Sequence, residues 1–153
     1  MKSLELKIPP PALALCLALL MWFSSSLVPS VAVPFGVRVG VALALVIIGQ
    51  SFSISGMVSF RRAKTTMHPM KPSAASSLVT GGVYRFTRNP MYLGLSITLM
   101  GWAVFLSNPL ALLAVPLFVL YINRFQINPE ERVLSSLFGA EYAAYTEKVR
   151  RWL

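Results

Sequence analysis

The sequence predicts an all-α integral membrane protein with about four transmembrane helices and a C-terminal amphipathic helix. Hydrophobic residues make up 56% of the 153 residues and charged residues only 12%, whereas a soluble domain typically carries about 25% charged residues. The uncharged residues form long apolar stretches, and the basic residues lie between and beside them. The length suits a single domain over residues 1–153.

Four apolar segments are the predicted transmembrane helices, because each approaches the about 20 residues that cross a bilayer core. They cover residues 9–28, 34–60, 90–106 and 109–127. A proline opens each segment, where a missing backbone N–H does no harm. The first segment also has features of a signal peptide, but no small-residue cleavage site follows it, so we favour an uncleaved helix. The turn 107–109 is short enough to make the last two helices an antiparallel hairpin.

The basic residues predict the orientation. With the N-terminus in the cytoplasm and four crossings, 13 of the 14 Lys and Arg residues fall at cytoplasmic ends, and only Arg38 lies near the other face. The positive-inside rule favours this arrangement. We therefore expect both termini, the loop 61–89 and the active site on the cytoplasmic side. The compact size and the single cysteine are consistent with a bacterial inner membrane.

The tail 129–150 is predicted to be an amphipathic helix that lies along the interface or covers a cytoplasmic pocket. Its apolar residues recur at spacings of three and four: Leu134, Leu137, Phe138, Tyr142, Tyr145, Val149 and Trp152. Asn128 suits an N-cap and Pro129 the first helical position. Glu131 would complete a capping box with Asn128.

The composition disfavours several partners. The net charge of +9 is better explained by membrane lipids than by nucleic acid, because the cations flank apolar segments. Cys16 is the only cysteine and His68 the only histidine. A cysteine cluster, a conventional zinc site or a Ser/His/Asp triad therefore lacks parts, and no metal is expected. The sequence gives no signal for an oligomeric state.

Two clusters carry candidate chemistry, and the first is Glu130-Glu131. Helix capping and the helix dipole alone account for both carboxylates in one interpretation. In the other, Glu130 shares the covered face of the helix with Leu134 and needs a cationic partner. Arg88, Arg124 and a cationic ligand are the candidates for that partner.

The second cluster runs from Thr80 to Gly94. Its stretch 84–92 holds three aromatic residues, two arginines and the start of the third helix. An interfacial aromatic belt with headgroup contacts is the simpler interpretation. A helix N-terminus facing the cytosol is also a natural anion site. Carboxylates, arginines and aromatic faces together suit a zwitterionic aromatic molecule, with a lipid-like second substrate between the helices.

Two motifs bracket the predicted hairpin. The first is Leu78-Val79-Thr80-x-Gly82-Val83-Tyr84-Arg85-x-x-Arg88-Asn89-Pro90-Met91-Tyr92-Leu93-Gly94. The second is Glu130-Glu131-x-x-Leu134, continued by Phe138-Gly139-x-Glu141-Tyr142 and Tyr145. In this order they resemble the isoprenylcysteine carboxyl methyltransferase and phospholipid methyltransferase group of membrane enzymes. The resemblance covers roughly residues 60–153.

This resemblance implies S-adenosylmethionine (SAM) as the methyl donor and a hydrophobic or lipid-like acceptor, such as a prenylcysteine carboxylate or a phospholipid amine. Glu130 would hold the methionine portion of SAM through its ammonium group. The cofactor-binding residues carried over by position are Ser77, Leu78, Val79, Tyr84, Arg88, Asn89, Pro90, Met91, Tyr92 and Glu130.

Two positions depart from the pattern of the prenylcysteine enzymes, which usually have His where this chain has Asn89 and place Arg where it has Gln126. The Asn form is common in the phospholipid-type relatives. Arg124 lies close to the second position and is the predicted catalytic arginine. Methyl transfer from a sulfonium mainly needs alignment of donor and acceptor. An amine acceptor must also lose a proton, for which Glu131 or Tyr92 is the predicted base.

The alternative function is a non-catalytic membrane protein that binds anionic lipid or a partner protein through the aromatic/Arg turn and the tail. A small transporter is disfavoured, because only Arg38 and the Gln50-Ser51 pair place polar groups inside the helices. Stoichiometric binding of SAM would distinguish the methyltransferase from the non-catalytic protein and from the transporter.

Overall fold

A computed structural model describes residues 4–65, 73 and 75–153. His68 and part of the predicted loop 61–89 lie outside this range. The described residues form helices and no strand, which confirms the all-α class. The helices are α1 (Pro10–Ser24), α2 (Phe35–Arg62), α3 (Pro90–Leu106), α4 (Pro109–Leu112), α5 (Ala114–Ile122) and α6 (Asn128–Lys148). A 3₁₀ turn, Gly82–Arg85, precedes α3, and a π-helical turn, Asn123–Ile127, joins α5 to α6.

Two helical stretches among the described residues are long and apolar enough to cross a membrane, judged by length and composition. They are α2 and the stretch Pro109–Lys148, which contains α4, α5 and α6. The helices α1 and α3 are apolar but shorter, with 15 and 17 residues. Two candidate spans are thus evident, and the arrangement with four crossings stays a prediction.

The helices α2 and α3 cross closely because small residues line their contact. A Cβ atom on Gly49 would lie 2.6 Å from the carbonyl oxygen of Gly94. A Cβ atom on Gly94 would in turn collide with Ser53 Oγ and the carbonyl oxygen of Gly49. Small residues permit such close approach of membrane helices. This contact fixes the start of α3 against the C-terminal half of α2.

Asn108 closes the opposite end of the bundle. Its Nδ2 donates to the carbonyl oxygens of Ser25 and Val28, at 3.3 and 2.9 Å. Its Oδ1 accepts from the backbone N–H of Leu110 at 2.9 Å, which caps α4. One buried side chain therefore ties the end of α1 to the turn between α3 and α4.

The junction between α5 and α6 differs from the prediction. No helix ends at Ile127, because Ile127 and Asn128 both have αR backbone angles and the π turn carries the helix onward. The predicted cap at Asn128 and the capping box with Glu131 are therefore wrong. The break lies earlier, between α4 and α5, where the ring of Pro116 cannot fit against the carbonyl group of Leu112.

The tail is bent rather than a single straight helix. Gly139 lies within α6 with φ 45° and ψ −117°, a conformation that is essentially confined to glycine. Beyond this kink, Tyr142 and Tyr145 are buried, whereas Leu137 before it is 46% exposed. The kink therefore turns the last two helical turns toward the start of α3.

Candidate functional site

The ends of α1, α2, α3 and α6 surround a cavity of about 360 Å³, within the size range of small-molecule sites. Segment 77–79 and Tyr84 form one side of it. Arg88, Asn89, Met91 and Tyr92 form a second side, and Glu130 and Glu131 a third. The structure thus brings both sequence motifs to one cavity. Among the predicted cofactor residues, Pro90 is buried beneath the wall instead.

Tyr84 reaches the cavity because of the glycine before it. Gly82 has a φ of 62°, which starts the 3₁₀ turn and points Tyr84 inward. The ring of Tyr84 is 6% exposed and meets Phe60 edge to face, with ring centroids 5.5 Å apart. Burial raises the pKa of the Tyr84 phenol, so this group stays neutral. Tyr145 Oη donates to the carbonyl oxygen of Tyr84 at 2.8 Å and fixes the turn.

Glu130 is a partly buried carboxylate held by neutral donors. The Tyr92 hydroxyl and Gln126 Nε2 both donate to its Oε1, each at 2.6 Å. No arginine side chain among the described residues forms an ion pair with Glu130, so of the three candidate partners neither Arg88 nor Arg124 fills the role and a cationic ligand is left. A carboxylate removed from water without a cation favours a positively charged ligand.

Glu131, and not Glu130, forms ion pairs with arginine side chains. Arg88 Nη1 lies 3.2 Å from Glu131 Oε1. Arg151 donates through Nε to Oε1 at 3.1 Å and through Nη2 to Oε2 at 2.5 Å. The carboxylate predicted as a base is thus held by two cations, one of which, Arg151, lies in neither sequence motif and meets the site through Glu131.

Arg124 does not reach the cavity. Its side chain is exposed on the π turn, while Gln126 is buried and lies next to Glu130. Two residues along a helix rotate a side chain by roughly 200°. Arg124 is close to Gln126 in sequence, but helical rotation directs its side chain to the outer face of the helix. Its predicted catalytic role therefore has no geometric support.

Asn89 directly precedes α3 but its side chain does not cap the helix. Its side chain forms no capping hydrogen bond. Instead its Nδ2 donates to the carbonyl oxygen of Arg151 at 2.9 Å, and its backbone N–H donates to Thr87 Oγ1 at 3.2 Å. The side chains of Thr87 and Asn89 thus find their hydrogen-bond acceptor in the backbone of the C-terminal segment, at Arg151.

Several lining residues come from parts of the chain that the motifs do not cover: Pro10, Pro11, Met57, Phe60 and Leu95. The first four lie on α1 and α2, whose sequences indicate only apolar helices. Because α1 and α2 are apolar in composition, their sequences do not indicate which helical turns face the cavity. Tyr142 and Tyr145 also line the cavity, and their places in the second motif were the available signal.

Comparison of the sequence with known proteins identifies the family that it matches. A model of the phospholipid methyltransferase family matches residues 37–141. A probable protein-S-isoprenylcysteine O-methyltransferase of Oryza sativa subsp. japonica is 37% identical over 116 residues, which cover 74% of this chain and 59% of the rice protein.

Two further relatives extend the comparison. Protein-S-isoprenylcysteine O-methyltransferase A of Arabidopsis thaliana is 32% identical over 107 residues, covering 70% of this chain and 54% of that protein. An uncharacterized protein of Haemophilus influenzae is 54% identical over 63 residues, covering 41% of this chain and 100% of the relative. The chain thus matches little more than half the length of the plant relatives.

Proposed function

Because this chain belongs to the phospholipid methyltransferase family, we propose that it is an integral membrane methyltransferase that uses SAM to methylate a lipid-like acceptor. The observation that carries the proposal is Glu130, a carboxylate on the cavity wall whose hydrogen bonds come from the neutral groups of Tyr92 and Gln126. The ammonium group of a methionine moiety is the kind of cation that such a carboxylate binds.

Arg88 supplies the complementary charge. Its Nε atom is buried and has no hydrogen-bond partner among the described residues. Such a donor suits the carboxylate of the same methionine moiety. Glu130 and Arg88 together therefore fit a zwitterion, and the aromatic faces of Tyr84 and Phe60 border the rest of the cavity.

When bound, SAM supplies an electrophilic methyl group on a sulfonium. The work left to the chain is to bind, to orient and to exclude water. The apolar side chains of Met57, Met91 and Leu95 line the cavity and keep it poor in water. In such surroundings an anionic acceptor is drawn toward a sulfonium more strongly than in bulk solvent.

A second cavity supports a lipid-like acceptor. It has a volume of about 500 Å³, lies between α1, α2 and α3, and has an apolar lining that includes Leu15, Leu43, Trp102 and Phe105. Leu95 lines both this apolar groove and the first cavity. A hydrocarbon chain in the groove would place its polar end at the first cavity.

The acceptor we favour is a carboxylate, as in a prenylcysteine, over a phospholipid amine. A carboxylate arrives deprotonated and needs no base, whereas an amine must lose a proton. Of the two predicted bases, Glu131 is engaged by Arg88 and Arg151, and the Tyr92 hydroxyl donates its proton to Glu130 in a hydrogen bond. The names of the rice and Arabidopsis relatives point to the same acceptor class.

The proposal includes a membrane topology. Four crossings with both termini on the cytoplasmic side would place the cavity at the cytoplasmic surface of a bacterial inner membrane, where SAM is available. The exposed cations Arg61, Arg62, Lys64 and Arg85 would then face anionic headgroups.

Calorimetric titration of the detergent-purified protein with SAM tests the proposal. Glu130→Gln keeps the shape of the side chain but removes its charge, and should abolish most of the affinity. Arg124→Ala is the matched control, because that side chain is exposed outside the cavity. A folded wild-type protein that fails to bind SAM, yet binds anionic vesicles in a salt-sensitive manner, would instead support the non-catalytic alternative.

A further inference from the structure

The last five residues, 149–153, form what we call the C-terminal strap. At Val149 the backbone becomes extended, with φ −123° and ψ 127°, and the chain turns back along the rim of the cavity. The carbonyl oxygen of Arg150 accepts from the backbone N–H of Arg88 at 3.0 Å. The carbonyl oxygen of Arg151 accepts from Asn89 Nδ2 at 2.9 Å and from Thr87 Oγ1 at 3.3 Å.

The side chains of the strap reach two other elements. Arg151 binds both carboxylate oxygens of Glu131 at the start of α6. Trp152 Nε1 donates to Asn123 Oδ1 on the π turn at 3.2 Å. The strap therefore cross-links the loop before α3 and the helix α6, which both carry predicted cofactor residues, to the π turn, which carries Gln126.

Glu131 connects the strap to Arg88. Both the Glu131 and the Arg88 side chains are largely shielded, at 20% and 16% exposed. Glu131 engages the end of the Arg88 guanidinium, and no ion pair joins Arg88 to the neighbouring Glu130 among the described residues. Glu130 consequently stays available for a cation from outside the chain.

We infer that Arg151 is a positioning residue of the cofactor site, acting through Glu131 and the strap, and that Glu131 serves this network rather than acting as a base. The inference rests on the proposed function. It gives the two adjacent carboxylates separate roles, Glu130 binding the ligand and Glu131 holding Arg88. It also assigns a role to the C-terminal residues, which the sequence motifs leave unexplained.

The test compares Arg151→Gln, Arg151→Lys and Glu131→Gln with the wild type. Arg150→Gln is the matched control, because its side chain is exposed and only its backbone contacts Arg88. For Arg151→Gln and Glu131→Gln we expect the SAM dissociation constant and KM to rise by roughly tenfold to hundredfold, the effect of losing a charged hydrogen-bonded pair. We expect kcat and its pH profile to change little. Arg151→Lys, which keeps the charge but not the bidentate geometry, should recover part of the affinity.

A base role for Glu131 gives a different result. Glu131→Gln would then lower kcat and alter its pH profile while SAM affinity stayed unchanged, and this outcome overturns the inference. Wild-type affinity in Arg151→Gln also overturns it. Thermal unfolding establishes that each variant is folded, and Arg151→Lys provides the comparison if Arg151→Gln does not fold.

A second readout is independent of SAM. Carboxypeptidase should release the residues of the strap slowly from the wild type and from Arg150→Gln, and faster from Arg151→Gln. Equal rates in all three proteins would show that no strap is anchored, whatever the cofactor. If the wild type fails to bind SAM but its C-terminus is protected in this manner, the proposed function fails while the anchoring of the strap stands.

Discussion

Tyr92 and Glu130 join the first turn of α3 to the first turn of α6, because the Tyr92 hydroxyl donates a 2.6 Å hydrogen bond to Glu130 Oε1. Gln126 donates to the same oxygen. The geometry orients the carboxylate without neutralising it.

Removing the Tyr92 hydroxyl should weaken SAM binding without abolishing it. Tyr92→Phe loses one orienting hydrogen bond, worth about 0.5–1.5 kcal/mol, so the dissociation constant should rise roughly threefold to tenfold. Tyr121→Phe is the matched control, because the Tyr121 hydroxyl is buried without a hydrogen-bond partner among the described residues. Calorimetry on both variants is the measurement, and equal affinities would contradict the role given to Tyr92.

The contact between α2 and α3 should not tolerate an added methyl group. In Gly94→Ala the new Cβ meets Ser53 Oγ and the carbonyl oxygen of Gly49, so we expect a loss of about 1–3 kcal/mol in the free energy of unfolding. Gly40→Ala, on the same helix as Gly49 but with no atom within 4 Å of the new Cβ, should be neutral or stabilising. Unfolding in detergent micelles measures both, and equal stabilities would refute the close crossing.

The kink at Gly139 should require glycine because of its positive φ, and not because a side chain would lack space. Gly139→Ala introduces no collision, since no atom lies within 4 Å of the new Cβ, but φ is 45°. We expect a cost of about 1–3 kcal/mol from backbone strain, together with weaker SAM binding as Tyr142 and Tyr145 shift. Gly81→Ala, which also has open space but a φ of −93°, should leave stability and binding unchanged.

Arg124 should prove dispensable for catalysis. Its side chain is exposed outside the cavity, so Arg124→Ala should keep kcat/KM within about twofold of the wild type, since exposed positions away from a site rarely change function or stability. Arg88→Ala should in contrast lose much of the SAM affinity. A large loss of kcat in Arg124→Ala would restore the catalytic role that sequence proximity suggested.

The apolar groove should control the choice of acceptor chain. Leu43→Trp narrows the groove, so KM for a long-chain acceptor should rise by about tenfold, while a short-chain analogue and SAM are unaffected. Ile47→Trp is the control, because Ile47 lies on the same helix, is 64% exposed and does not line the groove. Steady-state kinetics with acceptors of two chain lengths distinguish the variants, and unchanged KM values would remove the groove from the substrate path.

The sequence by itself determined the all-helical class, the bounds of α3 at Pro90–Leu106 and the two motifs that meet at the cavity. These features follow from local patterns: apolar length, prolines at helix starts and glycines at turns. The resemblance to membrane methyltransferases rests on the same local motifs, and the family is shown by the match over residues 37–141.

Only the tertiary structure decided which charged groups meet. Glu131 was expected to cap its own helix, yet it binds Arg151, 20 residues further along the chain. Arg124 was expected at the site, yet Gln126 occupies that face. The physical reason is rotation: each helical residue turns the side chain by about 100°, and a single π turn changes the register of every residue after it. Composition identifies the residues able to form such a site, but the rotation of each helix about its axis determines which of them face one another.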